Sequence, residues 1–299
     1  MSKYSENTVF IFDWDDTLLP STWLRHGGIH MDYTGCVGAT KEMREACAAL
    51  EPHVGALLRA AKEYGQVFIV TNATLGWLQI SALTFMPSIA ELIRSFTIIS
   101  AADLYEMYYR DPTMWKKMAF QNEVLTLAFP TQPAKRTVIS IGDGESERHA
   151  LKYIMANAIP DSMLTKSLKF MDGPSPEILR RQLVCTLREI DMIATGTESF
   201  DLQWEFPSDT SLQFKTIPEP PVVPQPPPPP PVMPRILSIF TPFSIFGESS
   251  MPYIDTYIPP SPSPPPVPPK RLLPPTKGRS VTPYRRYDAS KEEEKIEKN

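Results

Sequence analysis

Cysteine is scarce in this 299-residue chain: Cys36, Cys47 and Cys185 lie far apart and form no C-x-x-C pair. That leaves neither a disulfide framework nor a zinc ribbon to stabilise the fold, and it fits a reducing compartment. Long apolar runs are missing too. No stretch approaches the length of a membrane span, and Met1 to Asn7 is polar where a secretory leader would be apolar. The expectation is therefore a soluble, cytoplasmic protein, with the nucleus also open. Positive charge is not in excess either: 30 Lys and Arg stand against 34 Asp and Glu, a formal net charge of -4. That argues against a surface built mainly to grip nucleic acid.

Proline is abundant, with 34 residues concentrated late in the chain. Its distribution separates a globular part, 1–200, from a proline-rich, disordered tail, 201–299. In the globular part strand and helix patterns alternate, which predicts an α/β fold with right-handed crossovers and a three-layer sandwich around a central parallel sheet.

The stretch VFIFDWDDTLL, Val9 to Leu19, organises that part. Val9 to Phe12 is apolar on both alternating faces, as in a strand buried within a parallel sheet. Asp13, Asp15 and Asp16 follow at once, which puts carboxylates at the carboxyl end of a central strand, where open α/β sheets bind ligands. Carboxylates so close repel one another, and a divalent metal is the simplest partner that keeps them ionised. Asp and Thr also cap helices, so a capping turn is the competing reading.

Residues 20–39 are rich in glycine and turn formers and read as a mobile loop or small hairpin. Helices follow from Thr40 and from Pro52, the second closing at Gly65. A second strand, Gln66 to Val70, ends in Thr71 and Asn72, side chains suited to phosphate oxygens, although both also end strands for turn reasons. After short helices and an edge strand, Phe96 to Ser100, Pro112 opens a helix through Phe129. It carries Lys116 and Lys117, a pair that elsewhere makes a solvated face. The strand Thr137 to Ile141 leads into Gly142-Asp143-Gly144-Glu145-Ser146-Glu147, with a helix from Glu145. A short strand, Leu168 to Met171, precedes the last helix.

The set DWDDT at 13–17, a strand ending in Thr71, a helical lysine at 116 and GDGESE at 142–147 resembles the four motifs of the haloacid dehalogenase (HAD)-like superfamily, in their usual order across roughly the first 195 residues. The resemblance implies a Rossmann-like fold and an aspartate-nucleophile phosphatase. Asp13 would be the nucleophile and Asp15 the general acid and base. Thr71 and Asn72 would bind phosphate, and Lys116 would neutralise its charge. Asp13, the Asp15 carbonyl and Asp143 would hold Mg²⁺. An acid two residues after the nucleophile favours phosphatase over dehalogenase or transport-ATPase chemistry. The chain departs from the pattern at Glu147, where an aspartate is common; Glu147, or Glu145 in its place, would support the metal indirectly. Lys117 and Lys135 are neighbouring alternatives to Lys116. Only residues 20–39 remain to form a cap, so a minimal or absent cap points to a phosphoprotein or another accessible phosphomonoester.

The tail suits interaction. Pro226 to Pro231 favours polyproline II, and 264–270 contains P-x-x-P followed by Lys270, the form read by SH3-type domains; a solvated spacer explains it equally well. Ile236 to Phe246 is an apolar island, and Thr241, Ser261, Ser263 and Thr282 each precede proline. The reading of a different class is a catalytically weak or inactive scaffold of the same fold whose tail recruits partners.

Overall fold

The computed structural model describes residues 3–32, 35–159, 161–205 and 213–216. The chain divides into 1–225 and 226–299, and every described residue lies in the first of these. The expected polyproline run, SH3-type segment, apolar island and Ser/Thr-Pro sites all lie outside the described residues.

The elements in order are β1 (Thr8–Phe12), α1 (Ser21–His26), β2 (His30–Asp32), β3 (Gly35–Val37), α2 (Lys41–Ala48), α3 (Glu51–Tyr64) and β4 (Gln66–Thr71). Then come α4 (Leu75–Phe85), a 3-10 turn, α5 (Ala90–Arg94), β5 (Thr97–Ser100), α6 (Ala101–Tyr105) and α7 (Thr113–Met118), which runs through a π turn into α8 (Leu125–Ala128). The chain continues with β6 (Arg136–Gly142), α9 (Glu145–Ala156), β7 (Met163–Lys169), α10 (Pro176–Thr195), β8 (Phe200–Glu205) and β9 (Gln213–Thr216). The main sheet has the order β5-β4-β1-β6-β7-β8-β9; its first six strands are parallel and β9 is antiparallel. β2 and β3 make a separate hairpin. Among the described residues no helix is long and apolar enough to cross a membrane.

β1 lies at the centre, and its alternation decides how the helices pack. Phe10 and Phe12, stacked with ring centroids 6.2 Å apart, belong to one apolar cluster with α3 and α10. Val9 and Ile11 belong to another, with α9 and the helical run that α7 opens. A strand apolar on both faces thus accepts helices on both. Thr40 caps α2 by accepting from the Met43 N–H, as its position predicts.

The small hairpin that 20–39 offered as one reading is present as β2–β3, with α1 ahead of it. Gly65 is the C-cap of α3, as expected, with an extended φ of -174°; a Cβ there would stand 2.3 Å from the Thr8 carbonyl oxygen, so close approach of two backbones requires the glycine. One expectation is corrected. The strand expected at Leu168 to Met171 begins earlier, at Met163. Lys166 disguises it by interrupting the apolar pattern with a charge. Its Nζ is fully buried and donates to the carbonyls of Ile193 (2.7 Å), Ala194 (3.2 Å) and Gly196 (2.6 Å) at the end of α10. A helix carboxyl terminus is a natural counter-pole for an ammonium group.

The sheet also continues past residue 200. In β8, Phe200, Leu202 and Trp204 share one face and pack on the α3/α10 cluster. The Trp204 indole donates to Thr186 Oγ1 on α10 at 3.0 Å.

Phe10 fills the first of these clusters with no exposed surface. Phe10→Ala should lower unfolding stability by about 3–5 kcal/mol, read in urea as a lower midpoint at unchanged slope. A loss below about 1 kcal/mol would contradict this packing.

Candidate active site

Parallel strands bring all their carboxyl ends to one edge. The parallel strands, numbered by their order along the chain, run 3-2-1-4-5-6 across the sheet, so the chain reverses direction between β1 and β6. A crevice opens at such a reversal, outside the carboxyl ends. Asp13 follows β1 directly, and its N–H still joins the ladder, donating to the Ile141 carbonyl at 3.0 Å. Phe12 pairs with Ile141 on β6 and with Ile69 on β4. Asp143, just past Gly142, and Thr71, the last residue of β4, therefore lie beside Asp13.

Trp14 holds this loop from behind. Its ring is fully buried in the core, and its indole N–H donates to Ser81 Oγ at 3.0 Å, which in turn donates to the Leu78 carbonyl. With Trp14 turned inward, Asp13 and Asp15 turn to the edge. Asp16 takes a different part. It adopts a left-handed φ of 55°, and its carboxylate accepts from the Thr22 N–H at 2.8 Å and from the Thr22 hydroxyl. It ties the turn to the start of α1, although the N-cap of that helix is Pro20 rather than one of the acids. Thr17 is fully buried, its Oγ1 3.5 Å from Asp143 Oδ1.

The lysine comes from α7. Lys116 is almost wholly buried, and its Nζ lies 2.7 Å from Asp13 Oδ1 while also pairing with Glu147. The neighbouring lysines stand elsewhere: Lys117 lies against Met114 Sδ, and Lys135 is exposed just before β6, at the far end of the strands. Glu147, from the first turn of α9, is buried and also accepts from Ser146 Oγ at 2.9 Å. Gly142 makes room for it, since a Cβ there would stand 2.4 Å from Glu147 Cγ. Glu145 points away, pairing with Arg148 at 3.2 Å. Asn72 sits half-buried next to Thr71, with a buried amide oxygen that has no donor.

Asp15 is held at both oxygens, Oδ1 by the Trp77 indole N–H at 2.7 Å and Oδ2 by the Thr71 hydroxyl at 3.2 Å. Trp77 was not singled out from the sequence, where it lies within one of the short helices after Thr71. Lys169 was missed as well. It ends β7, nearly buried, and its Nζ donates to the Asp143 carbonyl at 2.6 Å and to Asp172 Oδ1 at 2.8 Å.

No family model, curated protein or solved structure matches this chain. What the site can do must therefore be argued from its own charges.

Among the described residues, Lys116 is the cation that acts on Asp13, and Lys116 and Lys169 are those that act on Asp143. Burial pushes the Asp13 carboxyl well up; Lys116 opposes this, and the charges of Glu147, Asp143 and Asp15 add to it. Asp143 is raised to about 7, first by burial and then by Glu147 and Asp16. Glu147 ends lower than usual, because Lys116 and the hydrogen bonds outweigh its burial. Lys116 is held up by Asp13 and Glu147 against the effect of its own burial. One ammonium group is thus shared by two buried carboxylates, and Glu147 has the better part of it. Asp13 Oδ1, though close to Nζ, has no hydrogen-bond donor aligned on it, and Glu147 Oε2 has none either.

The site is short of positive charge, so the donor set fits a hard divalent cation held by carboxylate and carbonyl oxygens. Asp13 and Asp143 would hold such a cation, with the Asp15 carbonyl as the third group that the resemblance implies for Mg²⁺. Among the described residues no three His, Cys, Asp or Glu side chains form a ready-made ion cage; mutual repulsion is the force that a cation would relieve.

A carboxyl group raised by folding contributes stability while protonated and loses it as pH rises through its folded value, here about 7. In chelator, the wild-type melting temperature should fall relative to Asp143→Asn between about pH 4 and 7, where the unfolded chain has released a proton that the fold retains, and then level off. Mg²⁺ should raise the melting temperature of the wild type near pH 8 and leave the variant unmoved. Scanning calorimetry would contradict the charge argument by finding a wild type indifferent to Mg²⁺.

Proposed function

We propose that the chain is a Mg²⁺-dependent phosphatase of the HAD-like type, acting through an aspartyl-phosphate on a phosphoprotein or another accessible phosphomonoester. The observation that carries this reading is the meeting of Asp13, Asp15, Thr71, Lys116, Asp143 and Glu147, from four separate stretches of chain, at the reversal point of the sheet. A three-layer Rossmann-like fold with a minimal cap, made of α1 and the β2–β3 hairpin, is the finer form of the architecture that this reading requires.

Each residue then has one task. Lys116 pairs its charge with Asp13 Oδ1 at 2.7 Å, which leaves Oδ2 to attack phosphorus. Thr71 and Asn72 take the phosphoryl oxygens. Asp15 gives a proton to the leaving oxygen as the P–O bond breaks. It then draws a proton from water, which attacks the aspartyl-phosphate, frees Asp13 and releases phosphate. Mg²⁺, when bound, offsets the repulsion between the Asp13 carboxylate and the phosphate dianion. Glu147 keeps Lys116 charged and pointed at Asp13, since an ammonium so deeply buried needs a permanent anion beside it. A cap no larger than α1 and the β2–β3 hairpin would suit a phosphate presented on a large surface.

With Mg²⁺ and 4-nitrophenyl phosphate the full-length protein should turn over. Asp13→Asn should lower kcat by at least about a thousandfold, and Glu147→Gln by about a hundredfold. Hydrolysis that survives Asp13→Asn would remove this reading and leave a scaffold of the same fold.

A further inference from the structure

Asp15 is used twice in the proposed reaction, and its direction is set by a side chain that touches neither phosphate nor metal. The turn that carries this side chain is pinned at several points. The Ala73 carbonyl accepts from Ser100 Oγ (2.8 Å), the Leu75 N–H donates to Asp103 Oδ2 (2.8 Å), and the Trp77 N–H donates to Thr74 Oγ1 (3.2 Å). From that fixed base the Trp77 indole N–H reaches Asp15 Oδ1 at 2.7 Å. Packing against the core would be served equally by a phenyl ring; what tryptophan adds is the donor.

We propose that Trp77 is a positioning residue that holds the Asp15 carboxyl at the reacting edge, an inference that rests on the phosphatase reading above. Its importance rises when substrate binds. In the free protein Asp15 has a second donor, the Thr71 hydroxyl. Thr71 Oγ1 accepts from the Ala73 N–H at 2.9 Å, which directs its hydrogen to Asp15 Oδ2. A phosphoryl oxygen docking at Thr71 competes for that same hydrogen. Once it is taken, the indole is the donor that remains on Asp15, so Trp77 acts in the bound complex more than in the binding of substrate. A misdirected acid harms most the reaction whose leaving oxygen most needs a proton.

Trp77→Phe, which keeps the ring and loses the N–H, tests this with two phosphates of similar size. On benzyl phosphate, which leaves as an alkoxide unless protonated, kcat/KM, which covers the steps up to formation of the aspartyl-phosphate, should fall about ten- to a hundredfold. On 4-nitrophenyl phosphate, whose phenolate needs little help, kcat/KM should fall less than about threefold, because the later attack of water, common to both substrates, does not enter it. An equal fall in kcat/KM on both substrates, or none, overturns the positioning role. A spectroscopic arm stands free of turnover and of the folding of that variant. In ¹⁵N-labelled protein, one of the five indole N–H signals should lie downfield and move upfield in Asp15→Ala. Five indole signals unmoved by Asp15→Ala overturn the contact itself. Should the wild type turn over neither phosphate, the phosphatase reading falls, and the indole signal still decides whether Trp77 holds Asp15.

Discussion

One buried ammonium group between two buried carboxylates is the constraint from which the rest of the site follows. Lys116 lies at 2.7 Å from Asp13 and pairs with Glu147, all three nearly sealed from water. Taking three charges out of water costs several kcal/mol per ion before their attraction is counted. Such a cluster persists only where the backbone fixes it on every side. Here the ladder bond at Asp13, the helical turn of α7 and the space left by Gly142 do so. The cluster remains one positive charge short, and that shortfall is what a divalent cation would satisfy.

The sheet sets the geometry on which this charge pattern depends. Because β4, β1 and β6 are parallel neighbours, Thr71, Asp13 and Asp143 reach the same edge at matching heights without any long loop. Flanking lysines stabilise the frame. Lys166 binds β7 to the end of α10, and Lys169 holds the Asp143 carbonyl from the far side of β6. Trp14 performs the same service for the acidic loop from the core side.

Much of this was legible in the sequence because the signals were local. The run Val9 to Phe12 announced a strand buried on both faces, and the acids directly behind it announced the edge. Thr71, Lys116, Asp143 and Glu147 stand out in the sequence, and the fold gathers them around Asp13 and Asp15. What could not be read was set by tertiary contacts. Lys166 has no local partner to mark it as part of a strand, since the carbonyls it binds at the end of α10 lie 27 to 30 residues away. Trp77 carries no local mark, because only the fold turns its N–H toward Asp15. Asp16 looked equivalent to its neighbours until its left-handed backbone turned it to Thr22. β8 is a different matter: the alternation of Phe200, Leu202 and Trp204 is a plain strand pattern, hidden by its nearness to the proline-rich segment.

The central claim is that Asp13 becomes covalently phosphorylated, and trapping that bond is the most direct measurement. The full-length protein is mixed with Mg²⁺ and aryl phosphate, quenched in acid, and reduced with borohydride, which converts an acyl-phosphate to an alcohol; the altered residue is then mapped by mass spectrometry. The account predicts reduction at Asp13. Reduction at another carboxylate, or at none while phosphate is being released, would contradict it.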